Sequence, residues 1–132
     1  MTFEISKQFR FESAHTLRRE ADNAANGEAK LKASRRIHGH SYRAEVVVRG
    51  QADPDTGMVV DFGVLERAVE AARLGLDHHF LDDVPDLGPA TMENLCIWIW
   101  RKVSGCAGLT RVTVYRDSTG EMCSYFGPDQ QN

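Results

Sequence analysis

Two stretches of this chain alternate apolar and polar residues with a period of two, and in both the alternation runs on into histidine. In the first, the odd positions Phe3, Ile5, Phe9 and Phe11 are apolar, Lys7 is the one break, and His15 keeps the parity. In the second, the even positions Tyr42, Ala44, Val46 and Val48 are apolar, and His38 and His40 precede them in phase. Successive side chains of a strand point to opposite faces, so period-two alternation specifies a half-buried strand and turns all three imidazoles toward the buried side. His38 and His40, with Gly39 between them, lie about 6–7 Å apart along an extended chain. That spacing suits two ligands converging on one ion, and it equally suits one or two hydrogen-bonded core histidines.

The same reading carries along the chain. Residues 2–13 form one strand and 38–50 a second, separated by a polar stretch, 16–36, too long for an idle loop in a compact domain. The turn cluster Gln51–Gly57 leads to a short third run, Met58–Phe62, which either pairs as a strand or merges into the preceding hairpin. Leu65, Val69, Ala72 and Leu76 then mark one face of a helix over 62–75, with Gly75 as its stop. Thr91 is a good N-cap for a second helix over 92–104, with Glu93 favourable in its first turn. Leu95, Ile99 and Val103 form its apolar stripe. Strands 109–117 and 121–126 close the chain around Ser118-Thr119-Gly120. The order reads β-β-β-α-α-β-β, or β-β-α-α-β-β with a four-stranded sheet if Met58–Phe62 merges into the hairpin, and predicts one α+β domain over residues 1–132: an antiparallel sheet with two helices on one face. Its exposed sheet edges call for cover, and oligomerisation is one way to supply it.

Composition narrows the function classes. A net charge of −3 gives no case for nucleic acid as a partner. No apolar run approaches the roughly 20 residues of a membrane span, and the N-terminus lacks a signal layout, so the expected location is the cytoplasm. Cys96, Cys106 and Cys123 form no CxxC pair and are expected as reduced thiols in structural positions. The charge is uneven, however. From His15 to Arg43 there are seven bases and three acids, a local +4, against −7 for the remainder. A basic insert beside a histidine cluster suits an anionic small substrate, although a solvated loop would look the same.

Three constellations could carry chemistry. His15, His38 and His40 would give a divalent cation three imidazole ligands and leave a fourth position for water or substrate, the pattern of catalytic rather than structural zinc. Asp77 beside His78 could orient a general acid/base, or could simply close a helix C-terminus. Asp117, at a strand end, could accept N–H bonds from a planar heterocycle or serve as a turn acid. Asp61 reads as a helix cap rather than a ligand.

Five motifs then occur in order: F-x-F-E-S-A-H at Phe9–His15, H-G-H at His38–His40, D-P-x-T-G-M-V-V-D-F at Asp53–Phe62, L-D-H-H at Leu76–His79 and T-x-E-N-L at Thr91–Leu95. Together they resemble the 6-pyruvoyl-tetrahydropterin synthase family, and most of all its bacterial branch, the 6-carboxytetrahydropterin synthases of queuosine biosynthesis. The resemblance covers residues 3–126. It implies the tunnelling fold (T-fold), in which three subunits' sheets join into a barrel and two trimers stack as a homohexamer. It also implies zinc on His15, His38 and His40, and a catalytic pair at Asp77 and His78. The family's pterin-anchoring carboxylate falls at Asp117, and Thr91 and Glu93 match the helix start near the pterin pocket.

The implied substrate is 7,8-dihydroneopterin triphosphate, whose triphosphate the region of Arg18, Arg35 and Arg36 could meet. The implied products are 6-carboxytetrahydropterin, acetaldehyde and triphosphate. One departure stands out: the branch's catalytic cysteine, four residues before the first histidine of H-G-H, is Ser34 here. A serine hydroxyl does not readily replace a thiolate base at neutral pH. A water held by Ser34, His78 itself, or Glu28 would have to serve. The alternatives are another kind of pterin side-chain cleavage, or a paralogue that binds pterin and zinc without turnover.

Overall fold

A computed structural model describes residues 1–17 and 35–129. Two 13-residue strands, β1 (Phe3–His15) and β2 (His38–Gly50), pair antiparallel along their whole length. Helix α1 (Phe62–Leu76), a short 3-10 turn (Leu81–Asp83) and helix α2 (Met92–Val103) follow, then strands β3 (Leu109–Arg116) and β4 (Glu121–Tyr125). The sheet is antiparallel in the order β1-β2-β3-β4. This is the β-β-α-α-β-β domain expected from the periodicity.

The core lies between one sheet face and the two helices. Phe9, Phe11, Tyr42, Ala44, Val46, Val112 and Val114 supply the sheet side. Leu65, Val69, Ala72 and Leu76 of α1 are all buried, as the stripe required, and Leu95, Ile99 and Val103 of α2 join them. Each buried Val, Leu, Ile or Phe among them contributes about 1.5–3 kcal/mol by leaving water. Both helices start on side-chain caps. Asp61 Oδ1 accepts from Gly63 N–H at 2.7 Å, and Thr91 Oγ1 accepts from Asn94 N–H at 3.2 Å. The three cysteines are free thiols. Among the described residues no helix is long and apolar enough to cross a membrane.

Two local expectations are corrected. Met58–Phe62 is not a strand: β2 already pairs with β1 on one side and β3 on the other, so no ladder remains for it there. Its turn closes on itself instead, with Asp53 Oδ1 taking the N–H groups of Asp55 and Thr56, and Asp53 N–H donating to Met58 O at 2.9 Å. Gly75 does not stop α1, which continues to Leu76 with Asp77 as its C-cap. Gly75 is there for packing, since a Cβ at that position would sit 2.6 Å from Cη2 of Trp98 on α2.

Candidate metal centre and active site

The β1–β2 register pairs His15 with His38 and Ser13 with His40, and this brings the three histidines to one end of the core face. Their rings stand edge-on to one another, with centroids 4.6–5.0 Å apart and interplanar angles of 71–89°. One potential ligand atom from each lies within 4.8 Å of the other two. The neighbouring carbonyls assign the tautomers. His15 Nδ1–H donates to Ala90 O at 2.9 Å and His38 Nδ1–H donates to Arg36 O at 2.8 Å, because a carbonyl can only accept. Both Nε2 atoms therefore carry lone pairs, and they face each other at 3.0 Å. His40 Nε2 accepts from Arg116 Nη1 at 3.3 Å, so its lone pair is also on Nε2.

Two lone pairs at that distance repel unless a cation lies before them. For tetrahedral zinc, with Zn–N of about 2.0–2.1 Å, neighbouring ligand nitrogens lie about 3.3 Å apart, close to the 3.0 Å between His15 and His38, with His40 within 4.8 Å. The Nδ1–H to carbonyl bonds are the outer contacts that hold metal-binding imidazoles in orientation. Burial disfavours the charged form of two of the three. Burial, followed by the positive charge of Arg116 and the neighbouring rings, pushes His40 down to about 4. Burial also lowers His15, against the opposing pull of its bond to Ala90. The donor set fits zinc: three imidazole nitrogens, oriented and converging.

The strand end carrying His15 is pinned on both sides. Thr16 N–H donates to Asp82 Oδ1 at 3.0 Å, and the Thr16 hydroxyl donates to Asp82 Oδ2. The free edge of β1 is covered by the segment after α1. Glu12 N–H donates to Asp77 Oδ1 at 2.9 Å, His78 N–H donates to Glu12 O at 2.7 Å, and Ala14 N–H donates to His79 O at 3.2 Å. Asp77 Oδ2 meanwhile takes Arg73 Nη1 at 2.9 Å and lies 3.0 Å from His78 Nδ1. The hydrogen bond from Glu12, reinforced by His78 and Arg73, holds the Asp77 carboxyl below the usual carboxylate range. His78 adopts φ 57°, a conformation uncommon for a side chain with a Cβ, and its ring is 80% exposed. Such strain, of order 1 kcal/mol or more, tends to persist where function requires it.

The expected site residues fall into separate groups. Thr91 and Glu93, at the start of α2, line a cavity of about 380 Å³ together with His15. Asp77 and His78 lie on the outer edge of β1, where a second cleft, of about 510 Å³, runs from His78 to His40. Asp117 does not join the histidines. It shares the opposite face of the sheet with Arg43 and Tyr115, accepts two 3.0 Å bonds from the Arg43 guanidinium, and has Arg10 at 3.8 Å. Arg35 is exposed. Ser34, Arg18 and Glu28 lie outside the described residues.

Two residues in the histidine cavity were not singled out from the sequence: Arg116 and Glu121, which form an ion pair there. The signal for Arg116 was available, because it continues the inward parity of Val112 and Val114 along β3. Its neighbour Asp117 lies on the other side of the sheet, with Arg43.

Comparison with known proteins agrees with this geometry. The family described as 6-pyruvoyl tetrahydropterin synthase matches residues 4–128. The chain is 36% identical over 131 residues to the 6-carboxy-5,6,7,8-tetrahydropterin synthase of Synechocystis sp., covering 94% of this chain and 93% of that protein. It is 41% identical over 85 residues to the human 6-pyruvoyl tetrahydrobiopterin synthase, 59% of each. The solved structure of the Caenorhabditis elegans 6-pyruvoyl tetrahydropterin synthase superimposes with a TM-score of 0.81 at 25% identity, covering 97% of both chains. By sequence and by its tunnelling-fold subunit, this chain belongs to the 6-pyruvoyl tetrahydropterin synthase family.

Proposed function

We propose that the chain is a zinc-dependent lyase of the 6-carboxytetrahydropterin synthase kind. It would convert 7,8-dihydroneopterin triphosphate to 6-carboxytetrahydropterin with release of acetaldehyde and triphosphate. The observation that carries this reading is the convergence of three Nε2 lone pairs, two of them 3.0 Å apart, in a chain of this family. Zinc held by His15, His38 and His40 would supply Lewis acidity toward the substrate's side-chain hydroxyls. The chain's own groups do the rest. Glu93 and Glu121, acceptors in the histidine cavity, bind the N–H edge of the pterin, and Thr91 fixes the helix end beside it. Asp117, occupied by Arg43, is assigned to the other face of the sheet. His78 relays protons in the cleft that reaches His40, with Asp77 setting its orientation and supporting its charged form. Arg35 meets the triphosphate. The base that starts the reaction is His78, a water held by Ser34, or Glu28.

The exposed apolar residues Phe3, Met58, Phe62 and Val64 and the sheet edges support assembly into a homohexamer of two trimers, and we assign the protein to the cytoplasm. Incubation of zinc-loaded protein with dihydroneopterin triphosphate, followed by product mass analysis, tests the reading. Recovery of unchanged substrate refutes it. Ser34, in place of the usual cysteine, favours a second reading, a pterin- and zinc-binding paralogue without turnover; its mark is full zinc occupancy and tight pterin binding with no product. A product of another mass would identify a different cleavage of the pterin side chain.

A further inference from the structure

We propose that Arg116 is an oxyanion-binding residue that sets the specificity of the histidine cavity: the ligand bound there carries a carboxylate or phosphate group against this guanidinium. The inference rests on the metal and pterin reading above and adds to it what part of the ligand the chain selects. Arg116 keeps the inward parity of Val112 and Val114, both fully buried, so its side chain enters the cavity from the floor of the sheet and is only 18% exposed. Its three nitrogens differ in how they are satisfied. Nη2 is held by Glu121, Nη1 leans on His40 Nε2 at 3.3 Å, and Nε, with the Tyr42 hydroxyl beside the guanidinium, is buried without a hydrogen-bond partner among the described residues. Buried N–H donors are nearly always paired, and an exception beside a cavity marks a place where a ligand acceptor belongs.

The contact with His40 sharpens the point. The lone pair that Arg116 borrows is the one a metal ion takes, so in the metal-loaded protein Nη1 as well as Nε is free for another acceptor. Charge leads the same way. Imidazole ligands bring no negative charge against a divalent cation, the guanidinium adds one positive charge, and the carboxylates of Glu121 and Glu93 offset two of the three. An anionic group on the incoming ligand would balance the remainder, taking a charge-assisted bond from Nη1 or Nε, which donate in different directions. A guanidinium can only donate, so it cannot serve the donor edge of a pterin ring, which is left to Glu93 and Glu121. Arg116 therefore reads a different part of the ligand, its oxyanion.

Calorimetric titration of the zinc-loaded full-length chain with pterin-6-carboxylate, pterin and inorganic triphosphate tests this, with zinc content measured for each variant. The parent is expected to bind pterin-6-carboxylate about 10–100-fold more tightly than pterin, the range for hydrogen bonds to a charged group. In Arg116→Gln that preference should fall to within about threefold, the two affinities being compared in the same variant at measured zinc content. In Arg116→Lys it should be partly kept, because the charge stays while the reach and spread of the guanidinium donors are lost. If triphosphate rather than carboxylate binding falls in Arg116→Gln, the oxyanion is the phosphate group and the proposal stands. It is overturned if neither anion depends on Arg116, or if the parent binds both pterins alike and triphosphate not at all. A parent that binds triphosphate through Arg116 but no pterin would refute the pterin reading and leave the oxyanion site standing. Should Arg116→Gln not fold, Arg116→Lys decides the same comparison.

Discussion

Replacing Asp77 by asparagine separates two roles that this residue's position combines. As a structural cap, its Oδ1 accepts the N–H of Glu12 on the free edge of β1, and its Oδ2 meets Arg73. As a partner of the exposed His78 ring, it orients Nδ1 at 3.0 Å. The asparagine keeps an oxygen for Glu12. Arg73 keeps its two bonds to Glu70, at 2.9 and 2.7 Å. With the edge bond retained and the ion pair partly exposed, the loss of stability should be about 1 kcal/mol. The chemical role predicts a far larger effect, because the amide cannot support an imidazolium. A loss of about 10²–10⁴ in turnover is the usual size of an oriented acid/base contribution. A change of about 1 kcal/mol in a fold stable by about 5–15 kcal/mol leaves nearly all molecules folded, so instability cannot imitate that loss.

Urea denaturation gives the first quantity and steady-state turnover of dihydroneopterin triphosphate at matched zinc content gives the second. The stability gap should be fullest at neutral pH. The folded carboxyl titrates below its unfolded value, so its contribution is present above about pH 4 and disappears as the pH falls through the folded value. Turnover within about threefold of the parent would refute the catalytic assignment and leave Asp77 as the end of α1 and cover for β1.

His40→Ala should remove most bound zinc, measured per subunit by elemental analysis, with little change in the far-ultraviolet circular dichroism. Retention of full zinc occupancy would contradict the three-histidine centre. Gly75→Ala should destabilise the protein by about 1–3 kcal/mol despite alanine's better helix propensity, because the new methyl meets the Trp98 ring, which is held by its own bond to Pro85 O at 3.2 Å. A raised thermal midpoint would show that the helices separate freely there. The metal-free protein should lose stability as the pH is lowered from about 6.5 toward about 4: His40 and His15 are held neutral in the fold while the unfolded chain takes up protons. Thermal melts across that window check the sign, and a flat profile would mean that the imidazoles are less buried than their packing indicates.

Much of this molecule was legible in local order. Parity along β1 and β2 located the inward histidines, and the stripe Leu65, Val69, Ala72 and Leu76 defined the buried face of α1. Those patterns hold because a strand or helix repeats on its own period whatever surrounds it. The failures lie where a neighbour decides. Met58–Phe62 has the composition of a strand, but both sides of β2 were already paired. Gly75 looks like a helix stop until Trp98 is placed against it. At the end of β3, Arg116 faces the histidines and its neighbour Asp117 does not, since one residue along a strand reverses the side.

By itself, then, the sequence determined the elements, their buried faces and the three imidazoles that share one of them. Only the tertiary structure decided what stands opposite those imidazoles. The carbonyls of Ala90 and Arg36 turn the lone pairs of His15 and His38 inward, and the guanidinium of Arg116 meets that of His40. Ala90 and Arg116 lie 75 and 76 residues from the histidines they touch, so no local pattern could report the contact.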